Sequence, residues 1–239
     1  MSTRPKGLVR GPQLPYKLLA GIEPCKGGWL ACTAKLQGIS MFPEPPQILE
    51  TFNDILDYRP GFEIVAMHIP IGLPAEWTKG GRTCDQLARK LLGPRRGSAI
   101  ISPPPRVSID DPKAPGVSAV TRSLLPKIRE VHKDVASYHQ RQVYEVHPEL
   151  GFYQINKDQP LKYSKRTQAG VDERTAILKE RVNGFDRIID YVPAGIDLPR
   201  ILDATANLWT ARRLAARAVS RLPESPEWNE DGLRMELVR

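Results

Sequence analysis

Cysteine is scarce in this 239-residue chain, and the three present, Cys25, Cys32 and Cys84, are too irregularly spaced for a disulfide framework or a zinc knuckle. They read as free thiols. No apolar run approaches the roughly 18 residues that a membrane span requires. The segment MSTRPKGLVRGPQLPYK also lacks the apolar stretch of a secretory leader. No membrane partner is expected, and the expected location is cytoplasmic. A P-loop is absent, and no coiled-coil repeat or exposed apolar stripe indicates an oligomeric state.

What is present points to a globular α/β protein. Hydrophobic residues make up 41% of the chain, enough to bury one substantial core. Lys and Arg number 35 against 27 acidic residues, a formal net charge of +8. That balance favours polyanionic partners and permits nucleic acid without identifying it. The 23 prolines, about twice the usual share, fall in clusters that mark loops.

Between those clusters the periodicity is legible. Leu18 to Ile22 and Trp29 to Ile39 flank a Lys-Gly-Gly turn, which predicts a β-hairpin. Ile48, Leu49, Phe52, Ile55 and Leu56 recur at helical spacing. FEIVAMHI reads as a buried strand closed by Pro70. RTCDQLARKLLG predicts a helix stopped at Gly93, and ISPPPRVSIDDPKAPG a long loop. SAVTRSLLPKIREVHKDV predicts a helix kinked or interrupted at Pro126, and QVYEVHPELGF a strand broken at Pro148. VDERTAILKERVNG predicts a helix stopped by Gly184. LPRILDATANLWTARRLAARAV predicts a long last helix with Ile201, Ala204, Leu208, Ala211, Ala215 and Ala218 on one face.

This order predicts a mixed sheet covered by helices. The expected organisation is a flexible basic arm over residues 1–16, one domain over 17–222 with a helical and proline-rich insertion at about 75–135, and a C-terminal tail over 223–239.

Polar residues at strand ends are the informative ones in such a sheet. Glu23 follows the first strand, His68 ends the central one, and Glu145 lies in VYEVHPE. Asp203 is expected in the first turn of the last long helix. Ordinary roles exist for each: a solvated turn for Glu23, an arginine partner for Glu145, a favourable helix dipole for Asp203.

The segments GIEPCKGGW, IPIGLP with RTCDQLARKLLG, EVHPELGF, YSKRTQAGVDER and LDATANLWTARRLA occur in this order over roughly residues 18–219. Together they resemble the DUF429 family, described as predicted nucleases with an RNase H-like fold. The resemblance implies an RNase H-like mixed sheet flanked by helices and a set of acidic residues for catalysis. Glu23 and His68 stand where family members carry Asp, while Glu145 and Asp203 match family acidic positions. Phosphodiester hydrolysis on this fold uses carboxylates to hold two divalent cations about 4 Å apart. The implied ligands are Glu23, Glu145 and Asp203, with His68 as a further ligand or a proton-transfer group, and the implied cation is Mg or Mn. His147, in HPE, fits a turn role or a catalytic one.

Basic groups supply candidates for phosphate. Lys165 and Arg174 are placed near Glu145 by the resemblance; Arg82 and Arg89 belong to a second basic cluster around the glycine-ended helix. Tyr163 and Trp77 are available for base stacking. Most of the remaining basic residues read as solvated faces. The expectation is a metal-dependent nuclease. The alternatives are a catalytically degenerate nucleic-acid-binding or interaction protein on the same fold and, ranked lower, an ATPase- or sugar-kinase-like phosphotransferase.

Overall fold

The computed structural model describes residues 14–111 and 117–239, so nearly all of the expected N-terminal arm lies outside the described residues. The hairpin forms as its sequence predicts. Strand β1 (Lys17–Cys25) runs antiparallel to β2 (Gly28–Gln37), with Lys17 opposite Leu36 and Cys25 opposite Gly28. β3 (Ser40–Pro43) and β4 (Gln47–Leu49) both pair with β2. β4 takes up Ile48 and Leu49, which the helical spacing had assigned to a helix; only α1 (Phe52–Leu56) is helical there, opened by a Thr51 and Asp54 capping box.

On the other side of β1 the chain adds β5 (Ile64–Met67) and β6 (Val143–Glu145), both parallel to it, giving the order β3-β2-β1-β5-β6. Parallel neighbours need a long crossover. Here it contains α2 (Thr83–Arg96) and α3 (Ala119–Asp134). Gly93 leaves helical geometry inside α2, at φ 72°, where the helix stop is expected. No break occurs at Pro126; α3 runs through it, with Leu125, Ile128 and Val131 buried along its length.

Pro148 does not merely end a strand. It opens α4 (Pro148–Ile155) at the first helical position, where a missing N–H costs nothing. α5 (Gln168–Arg181) stops three residues before Gly184, and α6 (Asp186–Ile189) leads to α7 (Leu198–Ala215). One face of the sheet packs on α4 to α7 through Leu19, Ala66 and Val146. The opposite face packs on α1 and α3 through Ala20, Ile22, Val65, Met67 and Val143. The sheet is therefore covered on both sides, which is why its central strands are almost continuously apolar.

Two contacts of this fold position the candidate site residues. α7 lies against β1 so closely that a Cβ on Gly21 would fall 2.1 Å from the Leu208 backbone nitrogen and 2.2 Å from the Ala204 carbonyl oxygen. Only glycine permits that approach. Residues 223–239, expected as a tail, instead belong to a hairpin of β7 (Arg221–Trp228) and β8 (Arg234–Val238). Its end is buried at Leu237 and Val238, and Val238 bridges to Val146 beside β6. The prolines in RLPESPEW, tolerated on an edge strand, conceal the strand in the sequence. Among the described residues no helix is long and apolar enough to cross a membrane.

Candidate functional site

The carboxyl ends of β1, β5 and β6 lie side by side, and their register decides which polar side chains meet. Ile22 pairs with Met67 and Met67 with Glu145, so these three share one row and one face of the sheet. Ile22 and Met67 point toward α1 and α3. Glu145 therefore faces away from α7. Glu23 and His68 lie one residue further on, where the alternation turns Glu23 toward α7. The sequence brings all three residues to one edge, and a one-residue offset sends Glu145 to the other side.

Glu23 and His68 meet directly. His68 Nδ1 lies 3.0 Å from each carboxylate oxygen of Glu23. Asn207 of α7 fixes that carboxylate by donating from Nδ2 to Glu23 Oε1 at 2.8 Å, and to the Ile22 carbonyl at 3.1 Å. Both partners are acceptors, which settles the amide orientation and turns Asn207 Oδ1 the other way, buried and without a partner among the described residues.

Asp203 is one turn before Asn207 on the same face of α7. It lies in the second turn of the helix, not the first, so the expected dipole role falls away; Asp197 is the N-cap. Lys165 donates to Asp203 Oδ2 at 2.5 Å, while Asp203 Oδ1 is buried and unpartnered among the described residues. Burial, reinforced by the nearby Glu23 charge, pushes the Asp203 carboxyl up to about 6 against the pull of Lys165. Burial draws the Lys165 ammonium down, but Asp203 and Glu23 outweigh it and the net shift is upward. His68 behaves alike: burial opposes its charge, Glu23 favours it, and the pKa ends above the ordinary imidazole value.

His147 touches this cluster without joining its chemistry. Its ring lies edge-on to His68 at 4.4 Å. Nδ1 accepts from the Glu149 backbone N–H, capping α4, and Nε2 faces the Ala99 carbonyl at 3.3 Å. Both nitrogens are occupied, and burial together with the His68 and Lys165 charges holds the pKa well below the usual range. It is a neutral structural cap.

The other predicted residues are committed to the fold. Arg82 is buried and gives Glu145 two hydrogen bonds, at 2.5 and 2.9 Å, Asp85 a third at 2.8 Å, and the Gly72 carbonyl a fourth at 2.8 Å. The Ile71 N–H donates to Glu145 at 2.8 Å as well. Arg174 is fully buried, bonded to Glu149 at 2.5 Å and to the Tyr163 and Gly170 carbonyls. Arg89 holds the Gly80 and Ile100 carbonyls and the Ser102 hydroxyl. Each guanidinium spends most of its donors on the protein, although Arg174 Nε has no partner among the described residues, and has little left for phosphate. Of the four cations expected to bind phosphate, Arg82 and Arg174 are buried, Arg89 is half-buried with three donors already committed, and Lys165 keeps 38% of its side chain exposed.

These residues do not fit the paired-cation centre that the resemblance implies. Glu145 is saturated and faces the wrong way, Lys165 covers Asp203 Oδ2, and His68 covers Glu23. Among the described residues no three His, Cys, Asp or Glu side chains are grouped to hold a metal ion. Sequence reasoning missed Asn207, although its place four residues after Asp203 on a helix was a usable signal.

No curated protein and no solved structure matches the chain. The model of the family described as "Protein of unknown function (DUF429)" matches residues 21–228. That match covers most of the chain and every element of the cluster, and the protein belongs to the DUF429 family.

Proposed function

We propose that this protein hydrolyses phosphodiester bonds in nucleic acid at the Glu23, His68, Lys165 and Asp203 cluster. The observation that carries the reading is the Glu23–His68 pair. A carboxylate fixed by Asn207 holds Nδ1 of the imidazole, leaving Nε2 as its proton-transferring atom. The strand order β3-β2-β1-β5-β6, with an antiparallel hairpin followed by parallel strands, supports an RNase H-like reading of the scaffold. The net charge of +8 supports a polyanionic substrate.

In this mechanism Lys165, anchored by Asp203, binds a non-bridging phosphate oxygen and offsets the charge that grows on the phosphoryl group. His68 in its neutral form takes a proton from a water molecule through Nε2, and the resulting hydroxide attacks phosphorus. The leaving oxygen departs with a proton from solvent. No step is assigned to a cation, because the donor set does not fit the pair.

The test is cleavage of single-stranded and duplex DNA and RNA by the wild type and His68→Ala, with chelator and with added Mg or Mn. Cleavage in chelator that falls about a hundredfold or more in the variant is expected, the usual contribution of a positioned acid–base group. Cleavage that requires a cation and survives His68→Ala would overturn this mechanism. A second reading, binding without cleavage, is favoured by the pairing of Asp203 with Lys165 and of Glu23 with His68. It predicts retained nucleic-acid affinity with no product under any of these conditions.

A further inference from the structure

Trp77 was available for base stacking in the sequence, and the catalytic cluster does not use it. It stands 56% exposed on the wall of a cleft of about 390 Å³ in the connection between β5 and β6. That volume suits a small planar ligand. Glu76, Ser98, Ser102 and Thr121 supply polar groups, and Ile100 with Ile101 forms the apolar floor. The same two isoleucines also line a much smaller pocket, of about 20 Å³, that His68 and His147 share with Arg82, Asp85 and Glu145, so the cleft neighbours the candidate reaction centre.

Its walls are held rigidly by the residues that proved unavailable to phosphate. Arg89 joins Gly80, Ile100 and Ser102 across the cleft, and Asp85 is locked by Arg82. Gly81 has φ +77°, and a Cβ there would lie 1.9 Å from the Ser102 hydroxyl oxygen and 2.7 Å from Asp85 Oδ2. The wall therefore closes only around glycine. Glu76 and Trp77, by contrast, make no hydrogen bond, ion pair or ring contact with another described residue. The frame is saturated, and two side chains that can bind a ligand are left free.

We infer that this cleft is a subsite for a guanine base, deepening the nucleic-acid reading on which it rests. An exposed indole offers a stacking face to any base. A free carboxylate repels phosphate, so the phosphate of a nucleotide lies away from Glu76. The carboxylate instead selects a ring edge that carries donors. Among the four common bases guanine alone presents two adjacent N–H donors on its Watson–Crick edge, matching the two oxygens of one carboxylate.

The experiment is calorimetric titration of the whole protein with guanosine, adenosine, cytidine and uridine 5′-monophosphates and with ribose 5-phosphate, repeated on Trp77→Ala and Glu76→Gln. Both side chains are exposed, so neither change threatens folding. The guanine nucleotide is expected to bind tightest, to weaken on the order of tenfold in Trp77→Ala, and to lose its advantage over the adenine nucleotide in Glu76→Gln. Equal binding of ribose 5-phosphate, an unchanged guanine affinity in both variants, or no binding at millimolar ligand would overturn the subsite. Base-selective binding without any cleavage of nucleic acid would sink the hydrolytic reading and leave the subsite standing. Cleavage without base preference and unaffected by Trp77→Ala would do the reverse.

Discussion

Two regions of this protein use the same chemistry to opposite ends. Around Glu145 a buried guanidinium donates to two carboxylates and a carbonyl, the Ile71 N–H donates to Glu145 as well, and every oxygen of Glu145 has a donor. Around Glu23 and Asp203 the cations are a lysine and a histidine that solvent reaches, and buried oxygens of Asp203 and Asn207 have no donor among the described residues. The first region is closed and holds the crossover to the sheet. The second leaves polar groups unsatisfied, as the proposed substrate site would require. Residue type alone does not separate the two; what separates them is whether the hydrogen-bonding capacity of each charge is already spent.

The largest expected effect falls on the closed region. Arg82→Ala leaves Glu145 and Asp85 buried without their cation, and breaking such a pair costs about 3–5 kcal/mol. Urea unfolding should show a loss of that size. A loss below about 1 kcal/mol would mean that water already reaches Glu145 and that the comparison fails. Replacing Arg82 and Glu145 together by uncharged residues of similar volume should recover part of the loss, because no orphaned charge remains at Glu145.

A smaller effect, on rate, sharpens the open region. His68 acts as a base only when neutral, so the wild-type rate should rise with pH through a pKa above the ordinary 6.5. Glu23→Gln removes the charge that raises this pKa, while burial and Lys165, which lower it, remain. The rising limb should therefore move to lower pH. A variant that loses rate equally at every pH would show that Glu23 is merely structural.

The same contrast explains what the sequence discloses. β1, β2 and β5 are legible because continuous apolar runs flank a glycine turn or a proline stop. The last helix is legible from Ile201, Ala204, Leu208 and Ala211, all of which are buried, but its end is not: Ala215 is only half-buried and Ala218, expected on the same face, is exposed beyond the last helical residue. β4 is three residues long, too short for its period to be distinguished from that of the helix beside it. Glu23, His68 and Asp203 stand out in the sequence as polar residues at strand ends or on an apolar helix face, and the structure makes them neighbours. Glu145 could not be separated from them, because a one-residue offset between strand ends is a property of register and leaves no local trace. Arg82 carried one clue, an aspartate three residues later on the same helix, and Arg174 lay four residues after the glycine whose carbonyl it binds. Such spacings do not reveal whether the remaining donors of an arginine end in the protein or in a ligand.

The smallest effect bears on the comparison most directly, because its sign is at stake. In the folded protein the Asp203 carboxyl is held at about 6, above its usual 3.8. A raised folded pKa gives a stabilising contribution that is complete below the unfolded value and is lost as pH rises through the folded one. Ionised Asp203 therefore weighs on the fold at neutral pH, by at most about 3 kcal/mol for a shift of roughly two units. Asp203→Asn does not titrate, and Lys165, with 38% of its side chain exposed, can turn to water when its partner is gone. Relative to the wild type, the variant should gain on the order of 1 kcal/mol between pH 4 and pH 7. Unfolding curves at the two pH values measure this, and they do not depend on catalysis. If the variant instead loses ground at pH 7, the Lys165–Asp203 pair is a net stabiliser like Arg82–Glu145, and the distinction between an open and a closed region collapses. A gain, combined with lost cleavage, would place Asp203 among residues kept for what they do at the expense of stability.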